Sequence, residues 1–187
     1  MRPFLHFFWA ALKNPLQVST LFQTGPTASQ LLTDAVPEHS KLIVELGVGT
    51  GAITQSLLTK VDHPDQYLGI ELNSDLIGFA QERFPTLKFV NDSAENFAKY
   101  LKGQKVSAVV SSLPWTVMPQ SVVANVIQAV HDNLQPGGVF TTYLTVHVLK
   151  TPAGRRMQML LQEKFTSLDS KVVFENLPPA KIFVAKK

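Results

Sequence analysis

Lys41-Leu42-Ile43-Val44-Glu45-Leu46-Gly47-Val48-Gly49-Thr50-Gly51 decides the fold of this chain. An apolar run passes straight into a turn with glycine at every second position. The run reads as a buried strand. The glycines let the backbone approach a ligand where a side chain would collide. A second apolar run, Tyr67-Leu68-Gly69-Ile70-Glu71-Leu72, ends in an acid. An acid on the strand after a glycine turn sits where a ribose hydroxyl pair is gripped. Together these features point to a nucleotide cofactor. A glycine turn of this composition also occurs as plain structure, and Glu71 also reads as a solvated strand-end carboxylate.

Outward from this turn, short apolar runs alternate with amphipathic stretches, the pattern of repeated βα units. Strands are expected at 41–46, 67–72, 87–91, 106–112, 138–146, 168–175 and 180–186. Helices are expected at 26–36, 51–60, 74–83, 94–101, 119–133 and 152–165. Thr24 or Thr27 can cap the first helix, and Asn73 or Ser74 the third. Gln135-Pro136-Gly137-Gly138 stops a helix and turns into a strand. Pro152 suits a first helical turn. Only Asn176-Leu177-Pro178-Pro179 separates the last two strands, too little for a crossover helix, so they form an antiparallel pair. The expected fold is α/β: a seven-stranded sheet of five parallel strands plus a C-terminal antiparallel hairpin, with helices on both faces.

Composition agrees. A chain of 187 residues, 45% apolar and 17% charged, suits one domain with buried parallel strands. Residues 26–187 form that domain, and residues 1–25 read as an appendage. The absence of Cys excludes disulfides, zinc–thiolate sites and thiol nucleophiles, and no metal is expected. A net charge of +3 permits an anionic partner without demanding nucleic acid. No apolar run reaches the ~18–20 residues of a membrane span. Residues 4–12 imitate a secretory core, but His6 interrupts them and no small-residue cleavage site follows.

Gly47-Val48-Gly49-Thr50-Gly51-Ala52 also fits the dinucleotide fingerprint. Three features favour S-adenosylmethionine over NAD. Glu45, two residues before the first glycine, can face a methionyl ammonium but would repel a pyrophosphate. The terminal hairpin is the second. The third is Asn91-Asp92-Ser93-Ala94 after strand three, placed to read an adenine edge, although Asp92 equally suits a helix N-cap. At these residues the chain resembles the class I S-adenosylmethionine-dependent methyltransferases, a Rossmann-like fold. That resemblance covers roughly residues 26–187 and implies the strand order 3-2-1-4-5-7-6. It also implies Glu45, Gly47, Gly49 and Gly51 near the methionine half, Glu71 with Leu72 on the ribose, and Asp92, Ser93 and Ala94 near the adenine.

Strand four runs into Ser111-Ser112-Leu113-Pro114-Trp115. Open α/β sheets bind ligands beyond the carboxyl ends of their strands, so Ser112 and Leu113 should face the transferred methyl group. Pro114 keeps Leu113 extended, and Ser112 adds a hydroxyl acceptor. Trp115 offers a π-face for a cation, or else packs. Ser112-x-Pro114-Trp115 looks like the (Asp/Asn/Ser)-x-Pro-aromatic motif of amino-group methyltransferases. The longer string through Pro119 resembles bacterial phospholipid N-methyltransferases. In place of their Ser-Gly, the chain has Ser111-Ser112. Trp115 stands where an aliphatic residue is common. The resemblance implies methylation of phosphatidylethanolamine toward phosphatidylcholine. The rRNA adenine dimethyltransferases, with Asn-Leu-Pro-aromatic, are the competing likeness, but they usually carry a helical domain beyond the sheet.

On a helical wheel, residues 2–13 set Arg2, His6 and Lys13 opposite Phe4, Leu5, Phe8, Trp9 and Leu12. A basic strip opposite an aromatic face suits a helix lying in a membrane interface, or a helix packed on its own domain. The lipid methyltransferases carry such a helix. Residues 22–29, Thr24 among them, are expected to lead over the cofactor site. Tyr143 and His147, near the end of strand five, are base candidates that strand alternation puts on one face; a packed histidine is the commoner role. Arg155 can hold a lipid phosphate or lie on a solvated helix face. The expected partners are an anionic membrane surface and an aminophospholipid, not a nucleic acid. The enzyme is expected to be monomeric, cytoplasmic, and bound peripherally to the inner face of the cell membrane.

Overall fold

A computed structural model describes residues 25–176 and 178–187. Phe8, Trp9, Lys13 and Thr24 therefore lie outside the described residues, as does the appendage helix. Helix α1 (Pro26–Asp34) leads to β1 (Ile43–Leu46) and α2 (Ala52–Leu57), which a 3-10 turn extends through Lys60. Then come β2 (Tyr67–Glu71), α3 (Ser74–Arg83), β3 (Phe89–Asn91) and a 3-10 segment (Ala94–Tyr100). The second half holds β4 (Val106–Ser111), α4 (Gln120–Asn133), β5 (Leu134–Thr145), α5 (Pro152–Lys164), β6 (Ser167–Val173) and β7 (Ala180–Lys186). All seven strands form one sheet in the order β3-β2-β1-β4-β5-β7-β6. β1 to β5 pair in parallel, and β7 runs antiparallel to both β5 and β6. The expected sheet and strand order are both present.

Two apolar layers cover the sheet. On one face α1 and α2 pack Ala28, Leu32, Ile53 and Leu57 against Ile43, Ala108 and Val110. On the other face α4, α5 and the 3-10 segment pack Val126, Ile127, Leu161 and Phe97 against Val44, Val109 and Phe140. β1 and β4 lie in the middle and are buried along their whole length, which is why both read as mainly apolar runs.

Several local expectations shift. Gly25, not a threonine, occupies the N-cap of α1, with no side-chain cap; Thr27 falls within the first turn. Asn73 caps α3 as expected, its side chain accepting from the Asp75 and Leu76 amides. The helix expected at 94–101 is a 3-10 segment opened by Ser93. β5 begins four residues early, at Leu134. The ladder pairs Val106 with Leu134 and then Ala108 with Val139, so Gln135 to Gly138 loop out as a bulge. A Cβ at Gly138 would lie 2.9 Å from the Gln135 carbonyl oxygen, so only glycine fits there. β5 also ends earlier, at Thr145, and Val146–Val148 coil into a 3-10 turn. Among the described residues no helix is long and apolar enough to cross a membrane.

Candidate active site

The site lies at the carboxyl ends of β1, β2 and β4. Gly47 continues β1 by donating to the Ile70 carbonyl at 2.8 Å. Gly47, Gly49 and Gly51 all take positive φ, which side chains disfavour. Two of them differ instructively. A Cβ at Gly51 would lie 2.5 Å from the Phe84 ring, whereas one at Gly49 meets nothing within 4 Å. Gly51 thus seats the turn on the protein, and Gly49 faces open space where a ligand can pass.

Glu71 binds the turn from β2. Its Oε2 accepts from the Gly49 amide at 3.0 Å, and its Oε1 accepts from the Asn73 amide at 2.9 Å. A carboxylate has about four acceptor positions, so it keeps capacity for ribose hydroxyls. Leu72 follows at the rim, half-buried.

Glu45 lies below the turn, 0% exposed. Its Oε2 accepts from Tyr67 at 2.6 Å and from Thr54 at 2.8 Å. Its Oε1 is buried with no partner. Burial pushes the carboxyl up to about 7, against the opposing hydrogen bonds from Tyr67 and Thr54, and Glu71 adds like-charge repulsion. Burial also raises the Tyr67 phenol well above its usual value, and the neighbouring Glu45 charge adds to this. Gly69 makes the cluster possible. It pairs with Glu45 across the sheet, and a Cβ there would lie 2.8 Å from the Tyr67 hydroxyl. Tyr67, Thr54 and Gly69 were not singled out from sequence. Their only signal is a tyrosine two residues before a glycine on the strand that neighbours Glu45.

Asp92 is committed locally. It accepts from Tyr100 at 2.6 Å, from the Asn96 amide group at 2.8 Å and from the Ser93 backbone at 2.7 Å. The Tyr100 bond, then the Asn96 bond, lowers its pKa. Ser93 caps the 3-10 segment by accepting from Glu95, and Ala94 is buried behind it. The Asn91 side chain bonds the Glu71 and Leu72 carbonyls at 3.0 and 2.8 Å, tying this loop to the end of β2.

On the β4 side, the Ser112 hydroxyl donates to the Gly47 carbonyl at 2.6 Å, and Leu113 packs against Gly47. The two segments expected to hold donor and acceptor therefore touch. Trp115 takes the packing role. It is 3% exposed, its indole N–H donates to Thr142 at 2.6 Å, and its edge meets the Phe140 ring. Tyr143 and His147 do not share a face. β5 ends at Thr145, so alternation stops before His147. Tyr143 is buried with the α1 layer, and His147 is exposed in the following turn. Arg155 is exposed near the start of α5. Among the described residues no cluster could hold a metal ion.

This sheet order and glycine turn, with an acid on β2, define a class I methyltransferase. Its donor is S-adenosylmethionine, and the residues fit it: open space over Gly49, spare acceptor capacity on Glu71, and an unpartnered carboxylate oxygen on Glu45. The chain matches the Methyltransferase domain family over residues 43–138 and belongs to it. It is 26% identical over 192 residues to an ornithine lipid N-methyltransferase of Singulisphaera acidiphila, covering 96% of this chain and 94% of that protein. It is 32% identical over 130 residues to ribosomal RNA small subunit methyltransferase A of Synechococcus elongatus, covering 67% of this chain and 41% of that protein. An O-methyltransferase of Bacillus cereus shares the fold, with a TM-score of 0.73 at 13% identity over 95% of this chain and 91% of that one.

Proposed function

We propose that this enzyme is an N-methyltransferase acting on the amine head group of a membrane aminophospholipid, carrying phosphatidylethanolamine toward phosphatidylcholine. The observation that carries the lipid-amine part of the reading is the match to an ornithine lipid N-methyltransferase along 96% of this chain and 94% of that protein; the choice of phosphatidylethanolamine rests on the resemblance of the Ser111–Pro119 string. The Ser112–Leu113 segment, bonded to the glycine turn, supports an amine acceptor beside the donor.

S-adenosylmethionine supplies an electrophilic methyl group on a sulfonium. The protein's work is to hold the amine, free its lone pair and align it. An amine with a pKa near ~10 needs ~4 kcal/mol to reach its neutral form at pH 7. Spare lone pairs on the Ser112 hydroxyl and the Leu113 carbonyl accept from the amine N–H groups and orient it. His147, exposed just past β5, is the base candidate that solvent can reach. Tyr143 is buried under α1 and is a poor candidate. Positioning and electrostatics supply the rate. The enzyme acts from the cytoplasm, held peripherally on the inner face of the membrane.

The second reading, an RNA adenine methyltransferase, draws on the 32% identity to the ribosomal RNA enzyme. A flipped base needs an aromatic or apolar face to stack on, and the buried ring of Trp115 does not favour it. Labelled S-adenosylmethionine offered with phosphatidylethanolamine vesicles, ornithine-lipid vesicles and RNA separates the readings. Label in phosphatidylethanolamine supports the proposal. Label in ornithine lipid alone keeps the lipid amine and changes the head group. Label in RNA alone, or none in lipid, overturns it.

A further inference from the structure

The rim beside the acceptor segment carries a feature that methyl transfer does not use. β6 and β7 join through residues 174–179. The antiparallel register pairs Thr145 and Val173 with the same residue, Ala180. The hairpin tip therefore projects beyond the carboxyl end of β5, on the same edge as Ser112. Phe174 opens the tip and is 75% exposed, more than any other large hydrophobic residue described. Val146 is exposed on the opposite side of β7, past the end of β5, with its amide bonded to the Pro179 carbonyl at 2.8 Å.

The tip is held firmly. Asn176 is buried, and its side chain donates to the Pro178 carbonyl at 2.7 Å and accepts from the Gly25 amide at 2.9 Å. An exposed ring on a pinned turn is not explained by packing. The Gly25 bond also ties the start of the described chain, just ahead of α1, to this rim.

Glu175, exposed next to Phe174, is the acid within the tip, and the charge on the neighbouring β5–α5 side is cationic. Lys150, Arg155 and Arg156, in the turn after β5 and at the start of α5, are all exposed. No ion pair among the described residues engages them. Between Val146 and Arg156 there is no acid.

We propose that the β6–β7 tip is a membrane-docking element: Phe174, with Val146 across β7 on the same rim, enters the acyl boundary of an anionic bilayer while Lys150, Arg155 and Arg156 meet lipid phosphates. Apolar insertion beside unpaired cations is how a surface recognises an anionic lipid interface. The inference deepens the lipid reading and rests on it for the choice of a bilayer as partner. It also gives the rim a purpose, because docking there brings the head-group amines to the acceptor segment.

The test uses the full chain and the variants Phe174→Ser, Lys150→Glu/Arg155→Glu and, as control, Phe79→Ser. Phe79 is 49% exposed on α3, in the other half of the sheet. Sedimentation with vesicles of phosphatidylglycerol and phosphatidylethanolamine should show about tenfold weaker binding for Phe174→Ser, the scale of one phenyl transfer. The charge-reversal variant should lose about tenfold or more, restored to parity with wild type by high salt. Phe79→Ser should bind as wild type, and all variants should melt near wild type.

Equal vesicle binding by Phe174→Ser overturns the proposal. So does a lowered melting temperature with unchanged vesicle binding, which would mean that the ring packs within the full chain. Loss of RNA binding with vesicle binding intact also overturns it. Methyl transfer to the same lipid in detergent micelles separates this claim from the substrate reading. Weakened docking with no lipid methylation upholds the tip and removes the substrate; lipid methylation with equal docking does the reverse.

Discussion

On the donor side of the sheet, β1 and β2 shape their site with backbone. Gly47, Gly49 and Gly51 take left-handed φ values, and Glu71 is bound by two backbone amides. On the acceptor side, β4 and β5 shape theirs with side chains. Ser112 reaches Gly47, Trp115 reaches Thr142, and Thr142 in turn donates to the Ser111 carbonyl at 3.1 Å. A backbone-built site suits a cofactor whose polar groups stay the same. A side-chain-built site can change with the acceptor while the sheet beneath it stays put.

The largest effect should come from the acceptor side. Trp115→Ala removes a buried ring and its bond to Thr142, and should cost about 3–5 kcal/mol in a denaturant titration. If Trp115 instead served as an open π-face, stability would hardly move and only turnover would fall. That result would break the contrast between the two sides.

Next is the pH response of Glu45. Its folded pKa of about 7 stands above the ordinary 4.5. Between these values the unfolded chain has lost the proton and the folded protein keeps it, so stability falls as pH rises. The loss is complete above about pH 7 and amounts to at most about 3 kcal/mol. Glu45→Gln should flatten that slope. The difference between the two proteins, measured by urea melts from pH 4 to 8, isolates the contribution of Glu45. A constant difference across the range would show that Glu45 is ionised throughout.

The last two turn glycines sharpen the donor side itself. Gly51→Ala meets the Phe84 ring and should cost about 2–3 kcal/mol of stability. Gly49→Ala meets no protein atom and should cost about 1 kcal/mol through φ alone. Its cofactor affinity, by calorimetry, should fall further, by about tenfold or more. If both variants lost stability and affinity in the same proportion, Gly49 would not face the ligand. Smallest is Ser112→Ala, which removes the bond to Gly47 and should cost about 1 kcal/mol. Turnover should drop more than cofactor affinity if Ser112 also orients the amine.

Legibility followed the same division. The glycine turn, the Asn73 cap and the terminal hairpin were readable because each depends on residues close in the chain. The β5 bulge was not, because Gly138 is confined by the Ser107 carbonyl on a neighbouring strand as well as by Gln135. The separation of Tyr143 from His147 was not legible either. It turns on where β5 stops, and the Val146 amide bonds to Pro179 of the hairpin rather than continuing β5.

By itself the sequence determined the order of strands and helices, the cofactor turn and its acid partner, since spacing and glycine chemistry act locally. Only the tertiary structure decided which way the key side chains look. Trp115 is buried because Thr142 and Phe140 wait on β5 to receive it. Glu45 is buried under the turn because Gly69 leaves room for Tyr67. Burial depends on partners many residues away, and no stretch of sequence read alone contains them.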